Sequence, residues 1–410
     1  MHKSIAVRMS ALLITSAALL AACGSPSDDE SGASAPVREK GRPTPRLVVS
    51  YDGGVRVLDG KTLETVADLP HEGFLRLNSA QDSRHVFVTA DDGFDVLDTG
   101  TWREAHGDHS HYKVTEPSFT DIDLAGDEPG HVVPHDGRIS LFFDGSGEAK
   151  TFDPADLAEG EVTTSDYRSP QAHHGVAVSR ADGSLVVTHG DEDTRSGVRI
   201  LDADRRVVAS TDDCPGVHGE AAASGGALTF GCENGILVVM GEEITKIPSP
   251  DAYGRIGNQQ GAPDSPIVLG DYKTRPAEDL GDDEIERPTR FSLTDTETGS
   301  LRVVDLPAAY SFRSLARGQD GEAVILGTDG ALYVFDPVTG RQMARHQVIG
   351  EWVEPVEWQD PMPSLTILGG TAYISDPGSK TMTAVDLATG AQTARTAIDV
   401  GVVETAAVTG

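Results

Sequence analysis

The chain has 410 residues, with 33 Lys and Arg against 65 Asp and Glu, for a formal net charge of −32. That surplus excludes nucleic acid and an anionic membrane surface as partners and suits cations. Apolar residues make up 38% and charged residues 24%, mixed along the chain, which excludes wholesale disorder and supplies a large core.

The N-terminus reads as a targeting segment. Lys3 and Arg8 precede an apolar run from Met9 to Ala22, and Leu20-Ala21-Ala22-Cys23 resembles a bacterial lipobox. This predicts a lipoprotein signal peptide over 1–22, cut before Cys23, with lipid on that thiol holding the chain to the outside of the cell membrane. The run is too short to span a bilayer stably, and no other apolar stretch approaches ~18 residues. Residues 23–45 are Ser, Pro, Gly and charge with little to bury, and predict a flexible tether.

From residue 46 to 410 the chain is a string of short β-type runs broken by Gly, Asp, Asn and Pro, such as Leu47-Val48-Val49-Ser50-Tyr51 followed by Asp52-Gly53-Gly54. No long stretch carries helical periodicity. The end of the second run of each unit falls at Asp59, Asp98, Asp153, Asp202, Met240, Asp295, Asp336 and Asp386, in steps of 38 to 55 residues. Repeats of ~40–50 residues worth about four strands each predict an all-β fold, a β-propeller of eight blades with seven as the alternative. The recurring aspartates are read as turn caps. The chain starts at Leu47 without an inner strand and ends on a spare run, 402–408, so pairing of the two termini would close the ring and protect its edges.

Setting Cys23 aside leaves Cys214 and Cys232, 18 positions apart and flanking a hairpin. In an oxidising compartment this predicts a disulfide rather than a thiolate metal site.

Nine of the 13 histidines fall between 106 and 218. In a propeller blade, inner-strand starts, second-strand ends and inter-blade connections share one face. His131, His174 and His218 each sit at an inner-strand start of successive units, with His135 and His173 as close substitutes, and Asp271 ends a second strand. Three imidazoles and a carboxylate suit tetrahedral zinc. His106-Gly107-Asp108-His109-Ser110-His111 is placed in the connection between blades two and three, on the same face, with His109 and His111 as mobile transfer ligands. His71, His85, His189 and His346 lack partners at ligand spacing and are read as surface or turn residues.

At these segments the chain resembles the AztD-like periplasmic zinc metallochaperone family. The matching stretches are His106 to Tyr112, His131 to Gly137, His173 to Val178 and Cys214 to Ala221. The resemblance implies a β-propeller that binds Zn²⁺ and passes it to the solute-binding protein of a zinc ABC importer, without catalysis. A lipid anchor at Cys23 departs from the freely soluble members. Two other readings remain. Glu220 beside a zinc-bound water would make a hydrolase, although the chain has neither His-Glu-x-x-His nor Gly-x-Ser-x-Gly. A protein-binding propeller scaffold with incidental histidines is the other.

Overall fold

Runs such as Val86-Phe87-Val88 carry β-branched and aromatic side chains without polar alternation, and they form strands covered on both faces. His85–Ala90 is buried at every position, whereas Gln342–Gln347 alternates exposed and half-buried. The first kind lies inside a blade and the second at its rim. The structure, a computed structural model, describes residues 36–281 and 283–410. The signal peptide, Cys23 and the first part of the tether lie outside the described residues. No described helix is long and apolar enough to cross a membrane.

The described residues form nine sheets: eight are meanders of four antiparallel strands, the fifth of these carrying one extra short strand, Gly254–Arg255, and the ninth is a small three-stranded sheet outside the ring pattern. The inner strands, numbered by blade, are Thr405–Val408, Arg76–Ser79, Pro129–His135, Ala177–Ser179, His218–Ala223, Gln259–Ala262, Leu315–Arg317 and Ser364–Leu368. Closure is by the termini: Arg46 pairs with Val408 and Val49 with Thr405, so blade one takes its inner strand from the C-terminus. Apolar side chains fill the seams between blades, as where Phe87, Phe94, Ile139, Leu141, Phe143 and Phe152 meet. The recurring aspartates do cap turns. Asp59, Asp295 and Asp336 each accept from two backbone amides of the following turn.

Two expectations about the N-terminal part change. Within the expected tether, Arg38–Lys40 forms a strand paired with His109–Val114. The Thr101 hydroxyl donates to Thr44 O, so the segment just before residue 46 also lies against the body. A three-residue charged strand has no apolar signature. It forms because the hairpin edge offers unpaired amides, and Glu39 meets His111 at 2.7 Å.

The second change concerns the His-rich loop. It is the turn of a hairpin, Thr101–His106 and His109–Val114, inserted within blade two between its third strand, Gly93–Asp98, and its fourth, Ser118–Phe119. It is not an inter-blade connection. Strand direction alternates through the meander, so the hairpin is rooted at the end of the blade opposite to where inner strands begin, and the expected shared face is wrong.

Candidate metal centre

His131 lies in the inner strand of blade three, His218 starts that of blade five, and His174 precedes that of blade four. The meander delivers all three to one mouth of the central channel. One nitrogen of each lies within 4.8 Å of the others, and Nε2 of His174 is 3.1 Å from Nε2 of His218. Ring centroids are 4.9 Å apart for His131 and His174, and 5.1 Å for His174 and His218.

The other ring nitrogens are all engaged. His131 Nδ1 lies 3.0 Å from Gly175 O, His218 Nδ1 2.6 Å from Gly257 O, and His174 Nδ1 2.5 Å from Asp144 Oδ2. A carbonyl only accepts, so Nδ1 of His131 and His218 must donate; the Asp144 carboxylate sets the same tautomer on His174. Three Nε2 lone pairs are thereby turned toward one another with no donor among them. That arrangement is repulsive unless a cation sits between them, and tetrahedral zinc at about 2.0–2.1 Å from each nitrogen asks for ligand atoms about 3.3 Å apart. Burial, with His174, His218 and Arg76 adding to it, holds His131 well below the usual imidazole range. Burial likewise lowers His218 to about 3, against the opposing Gly257 hydrogen bond. Both imidazoles are therefore neutral, as a metal requires.

Two glycine peptides transmit this order. Gly175 donates its N–H to Asp144 Oδ1 at 3.2 Å while its carbonyl accepts from His131. Gly257 donates its N–H to Asp271 Oδ1 at 2.6 Å while its carbonyl accepts from His218. At Gly175 a Cβ would come within 2.5 Å of the Phe142 ring, so only glycine fits. The disulfide Cys214–Cys232, with Cα atoms 4.9 Å apart, pins the segment that leads into His218. A loop of this length stabilises by about 3 kcal/mol in the chain-entropy account.

The remaining expected site residues lie elsewhere. Asp271 is buried, its Oδ1 accepting from the Gly257 and Asn258 amides, so it supports the triad through a peptide and falls outside the group of ligand atoms that the three histidines form. His173 is buried against Phe142, with Nδ1 3.0 Å from Gln171 O and Nε2 3.2 Å from the Thr188 hydroxyl. Both of its nitrogens serve the fold. His135 stands at the other end of its strand, near Asp136, facing a central cavity of about 640 Å³. Four residues along a strand separate it from His131 by about 13 Å. Glu220 lines the same cavity, and burial pushes its carboxyl up to about 8, which leaves it protonated at neutral pH and without a base's lone pair. His85, read as a surface or turn residue, is buried and held by Asp82 at 2.5 Å. His189 is buried as well.

His106, His109 and His111 form a second group with one nitrogen each within 4.8 Å of the others. His111 Nδ1 is held by Glu39, and His109 Nδ1 lies 3.2 Å from Asp108. The residue that reading the sequence missed is Asp144. It ends the second strand of blade three, the same phase that singled out Asp271, and the rule that second-strand ends face the mouth applied to it equally.

The protein named Zinc chaperone AztD from Citrobacter koseri is 24% identical over 335 residues, covering 79% of this chain and 76% of that protein. The chain resembles that protein over most of its length. The crystal structure of Citrobacter koseri AztD superposes with a TM-score of 0.77 at 23% identity, covering 90% of this chain and 98% of that one. The apo AztD structure from the same organism gives 0.75 at 22%, covering 89% and 98%. These structural likenesses carry the fold. More distant is the dihydro-heme d1 dehydrogenase NirN, with a TM-score of 0.55 at 14% identity over 90% of this chain and 77% of that one. No protein-family model matches the chain.

Proposed function

We propose that this AztD-like chain is an extracytoplasmic zinc metallochaperone that holds Zn²⁺ at His131, His174 and His218 and delivers it to the solute-binding protein of a zinc ABC importer. The observation that carries the reading is the convergence of three Nε2 lone pairs whose Nδ1 partners leave them no other use. The name of the Citrobacter relative supports zinc as the cargo. Three protein ligands leave one position open, which suits a metal that must be exchanged. The chain acts by binding and not by catalysis in this reading, which the name of the Citrobacter relative supports. The domain reading is a signal peptide over 1–22, lipid at Cys23, a tether that ends before Arg38, and a zinc-binding propeller to residue 410. The disulfide suits the oxidising side of the membrane.

The hairpin group supports a second role. His106, His109 and His111 are exposed or half-exposed and converge at a turn, so His109 and His111 would exchange metal with an acceptor faster than the triad. Because the hairpin is rooted at the opposite end of its blade, it acts as a separate station and not as a lid on the mouth.

Protein purified without a histidine tag should bind zinc tightly, retain it in competition with Ni²⁺, and pass it to the apo acceptor in the presence of a chelator that captures free ion. His174→Ala with His218→Ala should abolish tight binding at the triad while leaving the circular dichroism spectrum unchanged. Undiminished zinc affinity and stoichiometry in that double variant would refute the assignment.

A further inference from the structure

We propose that the channel mouth beside the histidine triad is a carboxylate site that takes a small polycarboxylate metal chelator, so that zinc is handled there as a chelate. The proposal rests on reading the triad as the metal site.

Arg76 and Arg313 come from the inner-strand starts of blades two and seven and border a cavity of about 180 Å³, together with Asn258, Thr366 and Thr405. A single carboxylate, Glu404, serves both. Arg76 Nε donates to Glu404 Oε1 at 3.1 Å, and Arg313 Nη2 lies 3.7 Å from the same oxygen. Glu404 Oε2 is already taken by the Leu77 amide at 2.9 Å. Two cations thus share one anion. The other carboxyl near Arg313, Glu354, is pushed up to about 7 by burial and cancels only part of the excess.

Some donors are also left over. Arg313 is 9% exposed; its Nη1 donates to Asp360 O at 3.3 Å, while Nε and Nη2 are buried without a hydrogen-bond partner, Nη2 having only the 3.7 Å ion pair to Glu404. Arg76 hydrogen-bonds through Nε alone among the described residues, while its guanidinium stacks 5.7 Å over Trp358. Leaving buried charged donors unmatched is costly, and a guanidinium fork fits a planar carboxylate.

The cavity adjoins the triad. Asn258, which lines it, follows Gly257, whose carbonyl holds His218. Arg76 is close enough for its charge to act on His131. Imidazoles from blades three to five therefore face guanidiniums from blades two and seven across one mouth. A chelator with several carboxylates can place one at the open position of a three-histidine zinc and another on the arginines.

The test is calorimetric titration of citrate into metal-free and zinc-loaded protein, with metal content measured after each titration. Wild type should bind citrate in both forms, at least tenfold tighter when zinc is loaded. Arg76→Ala should weaken citrate at least tenfold without weakening zinc binding, since it only removes a positive charge that acts on His131, and Arg76→Lys should restore only part of the citrate affinity, because the fork is lost. Arg76 is the residue to change because its side chain is 41% exposed, whereas that of Arg313 is 6%. Normal zinc binding with no citrate binding in either form would overturn the carboxylate site and leave the metal reading standing. Citrate binding without zinc binding would overturn the metal reading and the chelate, and keep the pocket. Acetate binding as tightly as citrate would overturn the chelator and assign the site to a lone carboxylate, such as an acidic side chain.

Discussion

Asp144 and His174 are joined by a 2.5 Å contact between Oδ2 and Nδ1, and the other oxygen of the same carboxylate accepts the Gly175 N–H. One residue at the end of a second strand thereby orients His174 directly and His131 through the Gly175 carbonyl. Carboxylate–histidine pairs of this kind fix the tautomer and raise the basicity of the ligating nitrogen.

Asp144→Asn should therefore weaken zinc binding by about 10–100-fold while the propeller stays folded. Competition with a fluorescent chelator reads the affinity, and a melting curve checks the fold. Equal affinity in the variant would show that the contact does not orient the ligand.

A second prediction concerns stability against pH. Burial raises the Glu354 carboxyl to about 7 from an ordinary value of 4.5, against the pull of Lys273, Arg287 and Arg313. Between those values the folded chain keeps a proton that the unfolded chain releases. The contribution to stability is thus complete below about pH 4.5, falls as pH rises through 7 and is lost above it. The full span corresponds to at most about 3 kcal/mol. Glu354→Gln should match wild type near pH 4.5 and be the more stable of the two at pH 8. Parallel pH profiles of denaturant midpoints for the two proteins would contradict this.

Ring closure gives a third. Thr405–Val408 supplies the inner strand of blade one, and Ala406 and Val408 are packed with Val48, Val55, Val86 and Val88. Removing residues 405–410 exposes the edge of Arg46–Tyr51 and opens the seam on both sides. The melting temperature should fall by at least about 5 °C, the equivalent of about 4 kcal/mol in a domain of this size. A truncated chain that melts like the full-length protein would mean that closure adds nothing.

Much of this architecture was legible because it repeats. The eight phase marks from Asp59 to Asp386 follow the blades, and at seven of them, all but Met240, the strand ends on or directly before an aspartate, as where Asp59, Asp295 and Asp336 cap the following turn. The same phase brings His131, His174 and His218 to one mouth, because position in a meander determines which end a residue occupies. What the phase cannot give is adjacency. Asp271 and Asp144 both end second strands, yet only Asp144 reaches a histidine ring, and that depends on how neighbouring blades pack. The hairpin was hidden for another reason. Thr101–His106 and His109–Val114 alternate like ordinary blade strands, so the long step from Asp98 to Asp153 read as a loop between blades instead of an insertion within one. Arg38–Lys40 left no trace because its pairing rests on backbone amides and on Glu39, not on apolar side chains.

The fourth prediction separates the two histidine groups. The triad holds its rings through Asp144, Gly175 and Gly257 on rigid inner strands, so release there is slow. His106, His109 and His111 ride on a hairpin whose only clamp on these rings from outside it, among the described residues, is Glu39, from a three-residue strand. Ligand exchange needs a group that moves, and the hairpin has fewer restraints to break. Changing His106, His109 and His111 together to Ala should remove one zinc from the stoichiometry, slow transfer to an apo acceptor several-fold and leave triad affinity unchanged. Glu39→Gln should keep the bound zinc but speed its loss, because the His111 ring is freed. Stopped-flow transfer at equal rates for wild type and the triple variant would remove the hairpin from the pathway. Loss of all zinc in the triple variant would instead mean that the two groups are not independent, which their opposite roots on the propeller argue against.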